Sequence, residues 1–309
     1  MNEYNQIEIQ VAFGFDANYL PHFFVVLKQI QTFCKEHTVI AHVLHTEIPE
    51  DDICVINHSF PDIDIRWYSV DSSHPALALR PLLHISTATY LRLIMFEVII
   101  DCPEKIIYLD IDIAINHDLA YLMKLDLGDH PIGAVDDHGL QPDDAHSFGK
   151  LHSIQKLDRY FNAGVLVINT TKCIENGIFK TALNMLMERP EDFPLADQDA
   201  LNVACRGNWH RLPAKWNLQR ALFYDNGKFK NTDAIKDKAN PAIIHFTTRQ
   251  KPWQRGEWHP YSWLYLKYLL ESPFRNEVES KGEINFSTYI KSLIRYYLMI
   301  VKKKLNLVA

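Results

Sequence analysis

Lys105-Ile106-Ile107-Tyr108-Leu109-Asp110-Ile111-Asp112-Ile113-Ala114-Ile115 is the stretch on which the fold of this chain turns. A run of β-branched and aliphatic residues of this kind reads as a buried strand, and two acids interrupt it near its end. In an extended chain residues i and i+2 project to the same face, so Asp110 and Asp112 point together while Leu109, Ile111 and Ile113 point the other way. Two carboxylates side by side repel, and an unpaired buried charge carries a large desolvation penalty unless a cation holds it. Two readings stay open at this stretch. In one the strand ends at Leu109 and the acids are solvated loop residues; in the other they hold a divalent metal at the carboxyl edge of a parallel sheet, where open α/β folds place their ligands.

Outward from this stretch the chain alternates strands with helices. Ile7 to Phe13, Thr38 to Leu44 and Asp64 to Tyr68 read as strands, and Tyr19 to Phe33 has the apolar spacing of a helix, with Phe23, Val26, Leu27 and Ile30 on one stripe. Ile48-Pro49-Glu50-Asp51-Asp52 starts a second helix, with proline and acids where a helix start favours them. Ser86 to Ile99 reads as a third helix and carries Arg92, whose plain role is a surface or paired cation. Such alternation implies a mostly parallel, doubly wound sheet.

Further on, Ile132 to Val135 and Tyr160 to Asn169 read as strands, and Gly164 in the second marks a bulge or a close backbone approach. Between them, Asp136 to Arg159 is rich in Asp, His and Gly without periodicity, which predicts a substrate-facing loop. Asp197-Gln198-Asp199 opens a helix, where acids commonly serve the first turn. His245 ends the strand Ala242-Ile243-Ile244; it becomes a metal ligand only if partners such as Asp110 and Asp112 reach it. Asp16 and Asn18, in the turn after the first strand, are ordinary N-cap residues, although a strand, a turn and a helix start are also the parts of nucleotide sites.

Composition sets bounds. A chain of 309 residues with 47% apolar and 23% charged residues is an ordinary globular protein, large enough for one big α/β domain with additions. Its net charge of -6 argues against a nucleic-acid binder. Five scattered cysteines without a C-x-x-C pair predict reduced thiols, and the polar start from Met1 to Gln10 and the lack of a membrane-length apolar run predict a cytoplasmic protein.

Taken in order, Phe13 to Tyr19, His84 to Arg92, Tyr108 to Asp112, Phe161-Asn162-Ala163-Gly164-Val165, Asp197-Gln198-Asp199 and His245 through Lys251-Pro252-Trp253 resemble family 8 glycosyltransferases, in particular the bacterial lipopolysaccharide galactosyl- and glucosyltransferases. The resemblance implies a GT-A fold: an α/β nucleotide-diphospho-sugar transferase domain with a mostly parallel sheet over residues 1–270, then a helical, basic amphipathic tail over 271–309. It also implies a UDP-hexose donor, Mn2+ or Mg2+, and retention of anomeric configuration. By motif position it makes Asp110, Asp112 and His245 the metal ligands and Asp16 and Asn18 uridine or ribose contacts. Ile111 falls within the donor site between the two acids, and Lys251 becomes a diphosphate contact. Arg92, Asn162, Asp197 and Gln198 become donor-sugar contacts, with Gln198 near the anomeric carbon, while His84 and Asp137 line the donor and acceptor cleft. One departure stands out: close relatives carry a glycine where this chain has Thr247-Thr248-Arg249-Gln250 before Lys251.

Competing readings are a Mg2+-dependent D-x-D phosphotransferase, which would place the acid pair near the N-terminus, and a sugar-nucleotide binding module without catalysis. In the tail, Ile290, Leu293, Ile294, Tyr297, Leu298, Val301 and Leu305 fall on one helical stripe and Lys291, Arg295 and Lys302 on another. That pattern predicts peripheral attachment of residues 287–309 to the anionic inner face of the cytoplasmic membrane, suiting a lipid-linked saccharide acceptor; its plain alternative is a terminal helix docked on the domain.

Overall fold

The computed structural model describes residues 6–79, 87–140, 151, 153–223, 232–254, 256–280 and 285–304. Its main sheet has seven strands in the order β3-β2-β1-β4-β7-β6-β8. These are β1 (Glu8–Asp16), β2 (Thr38–Thr46), β3 (Ile63–Ser69), β4 (Lys105–Leu109), β6 (Ile132–Asp136), β7 (Phe161–Asn169) and β8 (His210–Arg211). Only β7 runs against its neighbours β4 and β6; every other pair is parallel.

Both faces of this sheet are buried, as its continuous apolar strands require. Along β4, Ile107 and Leu109 join the core beneath the helix Leu20–Phe33, while Ile106 and Tyr108 join the core on the other face. Along β7, Val165 and Val167 alternate in the same way with Leu166 and Ile168.

The structure corrects the expectation of one strand through Asp110 and Asp112. β4 ends at Leu109, and β5 (Ile113–Ile115) belongs to a second sheet of three short strands, ordered β5-β10-β9. Its other members are β9 (Leu218–Gln219) and β10 (Ile243–His245). The two acids therefore sit at the junction of two sheets rather than on the pleat of one. Ser86 to Ile99, expected as an α-helix, is a 3-10 helix over Thr87–Ile94 and a short α-helix over Met95–Val98. The tighter winding brings Leu91 under β1: a Cβ on Gly14 would lie 2.9 Å from Leu91 Cβ. The expected strand before the turn at Asp16 also runs longer than Phe13, through Asp16 itself.

His84, residues 141–150 and 152 of the expected substrate-facing loop, and Leu305 lie outside the described residues. The tail forms the helix Phe286–Lys304 and packs on the helix Ser262–Leu269, with Tyr296 against the rings of Tyr261 and Trp263. Its opposite side leaves Phe286, Ile294, Tyr297, Leu298 and Val301 exposed. No helix among the described residues is long and apolar enough to cross a membrane.

Candidate active site

The break between the two sheets brings Asp110 and Asp112 to β10. His245 Nε2 lies 3.2 Å from Asp112 Oδ1 and 3.8 Å from Asp110 Oδ2. Among the described residues these three form the one group of acids and imidazole whose donor atoms, all within 4.8 Å of one another, suit a metal. The imidazole is oriented for that task, because its Nδ1 meets Asn217 Oδ1 at 2.9 Å and must carry the proton there. Nε2 is thereby left as a lone-pair donor facing the carboxylates, the usual outer-shell arrangement of a metal-binding histidine. Two carboxylates and one neutral imidazole fit Mn2+, or Mg2+ with less preference, since Mg2+ favours oxygen and water.

Space for this cluster comes from Gly164. β7 is irregular here, with the pairing to β6 passing from Leu166 opposite Ala134 to Asn162 opposite Val135. A Cβ at Gly164 would stand 2.2 Å from His245 Cε1 and 2.8 Å from Asp110 Oδ2. The sequence signal of a close backbone approach thus has a definite cause: the metal-type side chains occupy the volume that any other residue would fill.

Fixed cations balance the acids. Arg92 Nη2 donates to Asp110 Oδ1 at 2.7 Å, Nη1 donates to the Ala163 carbonyl at 2.6 Å, and Nε pairs with Asp197 Oδ2 at 2.7 Å. Burial opposes the charge on Arg92, but Asp110 and Asp197 hold it firmly protonated. Lys251 donates to Asp112 Oδ2 and to the Phe246 carbonyl. Burial raises the Asp112 carboxyl, yet the Lys251 ammonium outweighs it and holds the group well below the usual carboxylate range.

A cavity of about 450 Å³ opens in front of this cluster. Asp110, Ile111, Asp112, His245 and Lys251 line it together with Asp137, Asn162, Asp197, Gln198 and Arg92. Asp16 and Asn18 do not line it; Asp16 Oδ1 accepts the Asn18 N–H at 3.0 Å and caps the 3-10 turn, and the adjacent Tyr19 lines the cavity instead. Burial and the nearby Asp112 push the Tyr19 hydroxyl up to about 12, so it enters as a neutral hydrogen-bonding group.

Asn162, Asp137 and Gln198 form one network, joined to His245 through Asn217. Gln198 Oε1 accepts from Ala163 N at 3.0 Å and Asn162 Nδ2 at 3.1 Å, and Gln198 Nε2 donates to Asp137 Oδ2 at 3.1 Å. Asp197 Oδ1 accepts from Thr89 at 3.0 Å, whereas buried Oδ2 has the Arg92 charge beside it but no aligned hydrogen-bond donor. Ala196 precedes this pair at φ 52, and Thr248, which also lines the cavity, lies at φ 84. Positive φ is costly for both, and for a β-branched threonine especially, and such strain collects at functional sites.

Sequence reasoning missed Asn217, Gln219, Thr89 and Tyr160. Gln219 lines the cavity and ties it to the substrate-side loop, accepting from His138 N at 2.7 Å and donating to the Asp136 carbonyl at 2.9 Å. A signal existed for two of them. In Trp216-Asn217-Leu218-Gln219 polar and apolar residues alternate, and all four are buried.

An acid pair and histidine at the edge of an α/β sheet, facing a cavity, are the arrangement of a transferase of the GT-A type, and the fold agrees. The sequence profile of glycosyl transferase family 8 matches residues 10–257, and the chain belongs to that family. It is 30% identical to general stress protein A of Bacillus subtilis over 222 residues, 68% of this chain and 71% of that one. It is 25% identical to the lipopolysaccharide 1,2-glucosyltransferase of Escherichia coli, over 93% of this chain and 85% of the relative. Among solved structures it is similar to the galactosyltransferase LgtC in complex with donor and acceptor sugar analogs, with TM-score 0.74 and 27% identity, covering 87% of this chain and 99% of LgtC. Family membership makes the chain a glycosyltransferase and sets aside the phosphotransferase and binding-module readings.

Gly164→Ala is expected to abolish specific Mn2+ binding, measured by titration calorimetry, while far-ultraviolet circular dichroism stays native, because the added methyl displaces the His245 ring. A second expectation concerns Asp199, whose carboxyl burial pushes up to about 6, with the hydrogen bonds from Tyr160 and Leu195 only partly offsetting it. The native state holds this proton more tightly than the unfolded chain, so wild-type stability relative to Asp199→Asn falls as pH rises from about 4 to about 6. Two pKa units correspond to about 3 kcal/mol, and urea unfolding of both proteins at the two ends of that window reads the difference.

Proposed function

We propose that the chain transfers a hexose, galactose or glucose, from a UDP-sugar to a saccharide acceptor with retention of configuration, in the synthesis of lipopolysaccharide or another surface glycan. The observation that carries this reading is that the Asp110, Asp112 and His245 cluster and the Asp197 and Gln198 pair line one cavity, joined by the Arg92 guanidinium. A leaving diphosphate fits the first group and a sugar the second. The names of two relatives, the glucosyltransferase of Escherichia coli and the lipopolysaccharide 1,3-galactosyltransferase of Salmonella typhimurium, support a hexose. The latter is 28% identical over 71% of this chain and 68% of its own.

Cleavage of the bond between sugar and UDP places negative charge on the β-phosphate. A divalent ion bound by Asp110, Asp112 and His245 supplies Lewis acidity to that leaving group. Lys251 adds a fixed positive charge beside it. The Asp197 carboxylate takes a sugar hydroxyl, and the Gln198 carbonyl faces the centre that becomes cation-like. Gln198 is unsuited to covalent catalysis: a neutral amide oxygen is a weak nucleophile, and this one already accepts two hydrogen bonds. Front-face attack follows, with the departing phosphate taking the acceptor proton and Asp137 on the acceptor side.

The tail supports a lipid-linked acceptor. With one side docked, the exposed residues Ile294, Tyr297, Leu298 and Val301 keep a helical apolar stripe, and Lys291 and Arg295 are exposed beside it. Apolar insertion combined with about 1 kcal/mol for each basic residue near an anionic leaflet gives peripheral attachment at the inner face of the cytoplasmic membrane.

UDP release from a panel of UDP-hexoses with Mn2+ tests the reaction; release from none of them refutes it. Asp197→Asn and Gln198→Ala should each lower kcat by about tenfold or more while the Kd for UDP changes less than about twofold. Loss of UDP binding with turnover intact would reverse the assigned roles. For the tail, Leu298→Glu with Val301→Glu should release the protein from anionic liposomes in a flotation assay and leave UDP release unchanged. Equal flotation of variant and wild type would rule out attachment through this stripe.

A further inference from the structure

Gln198 has a buried neighbour that takes no part in the cavity. Besides Asp137, its Nε2 donates to Tyr160 Oη at 3.1 Å, and Tyr160 in turn donates to Asp199 Oδ1 at 2.6 Å. Asp199 Oδ2 accepts the Leu195 N–H at 2.6 Å. Tyr160 and Asp199 are both buried, and neither lines the cavity.

The chemistry of this chain of hydrogen bonds has a direction. An ionised carboxylate only accepts, so the single hydroxyl proton of Tyr160 is committed to Asp199. Tyr160 can then offer Gln198 only a lone pair, and the end of the amide that meets it must be the NH2 group. The carbonyl oxygen is left on the other side, toward Ala163 N and Asn162 Nδ2. Asp137 imposes the same sense, but Asp137 and Asn162 both line the cavity and meet hydroxyl groups of any sugar that enters. Tyr160 cannot be drawn away in that manner.

We propose that Tyr160 and Asp199 are positioning residues that hold the Gln198 amide one way round, so that its carbonyl oxygen keeps facing the reacting sugar when substrate engages Asp137 and Asn162. This rests on the sugar-facing role given to Gln198 above.

Tyr160→Phe removes the acceptor and keeps the ring that fills the core. Donor-dependent UDP release should fall about tenfold in kcat with KM for the UDP-hexose within about twofold, since the amide acts on the sugar centre and not on the nucleotide. In a Gln198→Ala background the same substitution should cost less than about twofold, because a residue acting through Gln198 has nothing left to orient. Hydrogen exchange of the Gln198 side-chain amide, read by NMR in glutamine-labelled protein and assigned by its loss in Gln198→Ala, should speed up about tenfold or more in Tyr160→Phe. Asp199→Asn should do the same through a different bond, because a carboxamide no longer dictates where the tyrosine proton points; it serves if the first variant fails to fold. Unchanged amide exchange in the folded variant, or an equal loss of kcat with and without Gln198, overturns the proposal. Should the wild type release UDP from no hexose, the transferase reading falls, and amide exchange alone then decides whether Tyr160 and Asp199 orient Gln198.

Discussion

Arg92 is the charge on which the site depends. Buried and stacked 4.6 Å from the Tyr108 ring, it pairs with Asp110 on the metal side and Asp197 on the sugar side. Taking three such charges out of water costs several kcal/mol for each ion. That cost is offset only because each carboxylate meets the same guanidinium and the remaining Arg92 donor meets a backbone carbonyl. The arrangement makes two half-sites from distant segments into one electrostatic unit. Among the described residues lining the cavity, Asp110, Asp112, Asp137 and Asp197 stand against Arg92 and Lys251, four negative charges against two positive. A surplus of two negative charges repels a diphosphate and attracts a divalent cation, so an anionic ligand enters this cavity more readily with a cation bound.

Much of this was legible in the sequence, and the limits of the reading are physical. The apolar rhythm of β1, β2, β4 and β7 marks strands buried on both faces, and their order with β3 and the intervening helices gives the α/β class. Whether Ile111, Ile113 and Ile115 continue β4 was not legible, since the same residues suit one long strand or two strands in different sheets. The deciding partner is β10, far along the chain, and with β5 and β9 it makes strands of only two or three residues. The 3-10 winding of Thr87–Ile94 is hidden for a similar reason: over eight residues, spacings of 3.0 and 3.6 residues per turn select nearly the same apolar positions.

Functional residues divide along the same line. Asp110, Asp112, Gly164, Asp197 and His245 carry signals of their own, being charged, small or strand-terminal in otherwise apolar surroundings. Tyr160 carries none that separates it from ordinary buried polar residues, and Asn217 only the alternation it shares with its neighbours. Their importance lies in what they orient, Gln198 in one case and His245 in the other. Hydrogen-bond partners of that kind belong to tertiary geometry.

The far end of the chain is part of the same construction. Trp253, two residues past Lys251, stacks on His22 at 4.0 Å and lies 5.0 Å from Tyr265. Tyr265 stands on the helix Ser262–Leu269, and the adjoining rings of Tyr261 and Trp263 receive Tyr296 of the tail. A continuous aromatic layer therefore runs from the loop that carries Lys251 to the inner side of the terminal helix. Lysine has a long flexible stem, and a fixed charge beside a diphosphate requires the backbone at its root to be held. The ring of Trp253 anchors that root against packing that Thr248, strained at φ 84 in the same loop, cannot provide. The helix under Trp253 thus holds the Lys251 loop on one side, while its neighbour, the tail, turns an apolar stripe outward on the other.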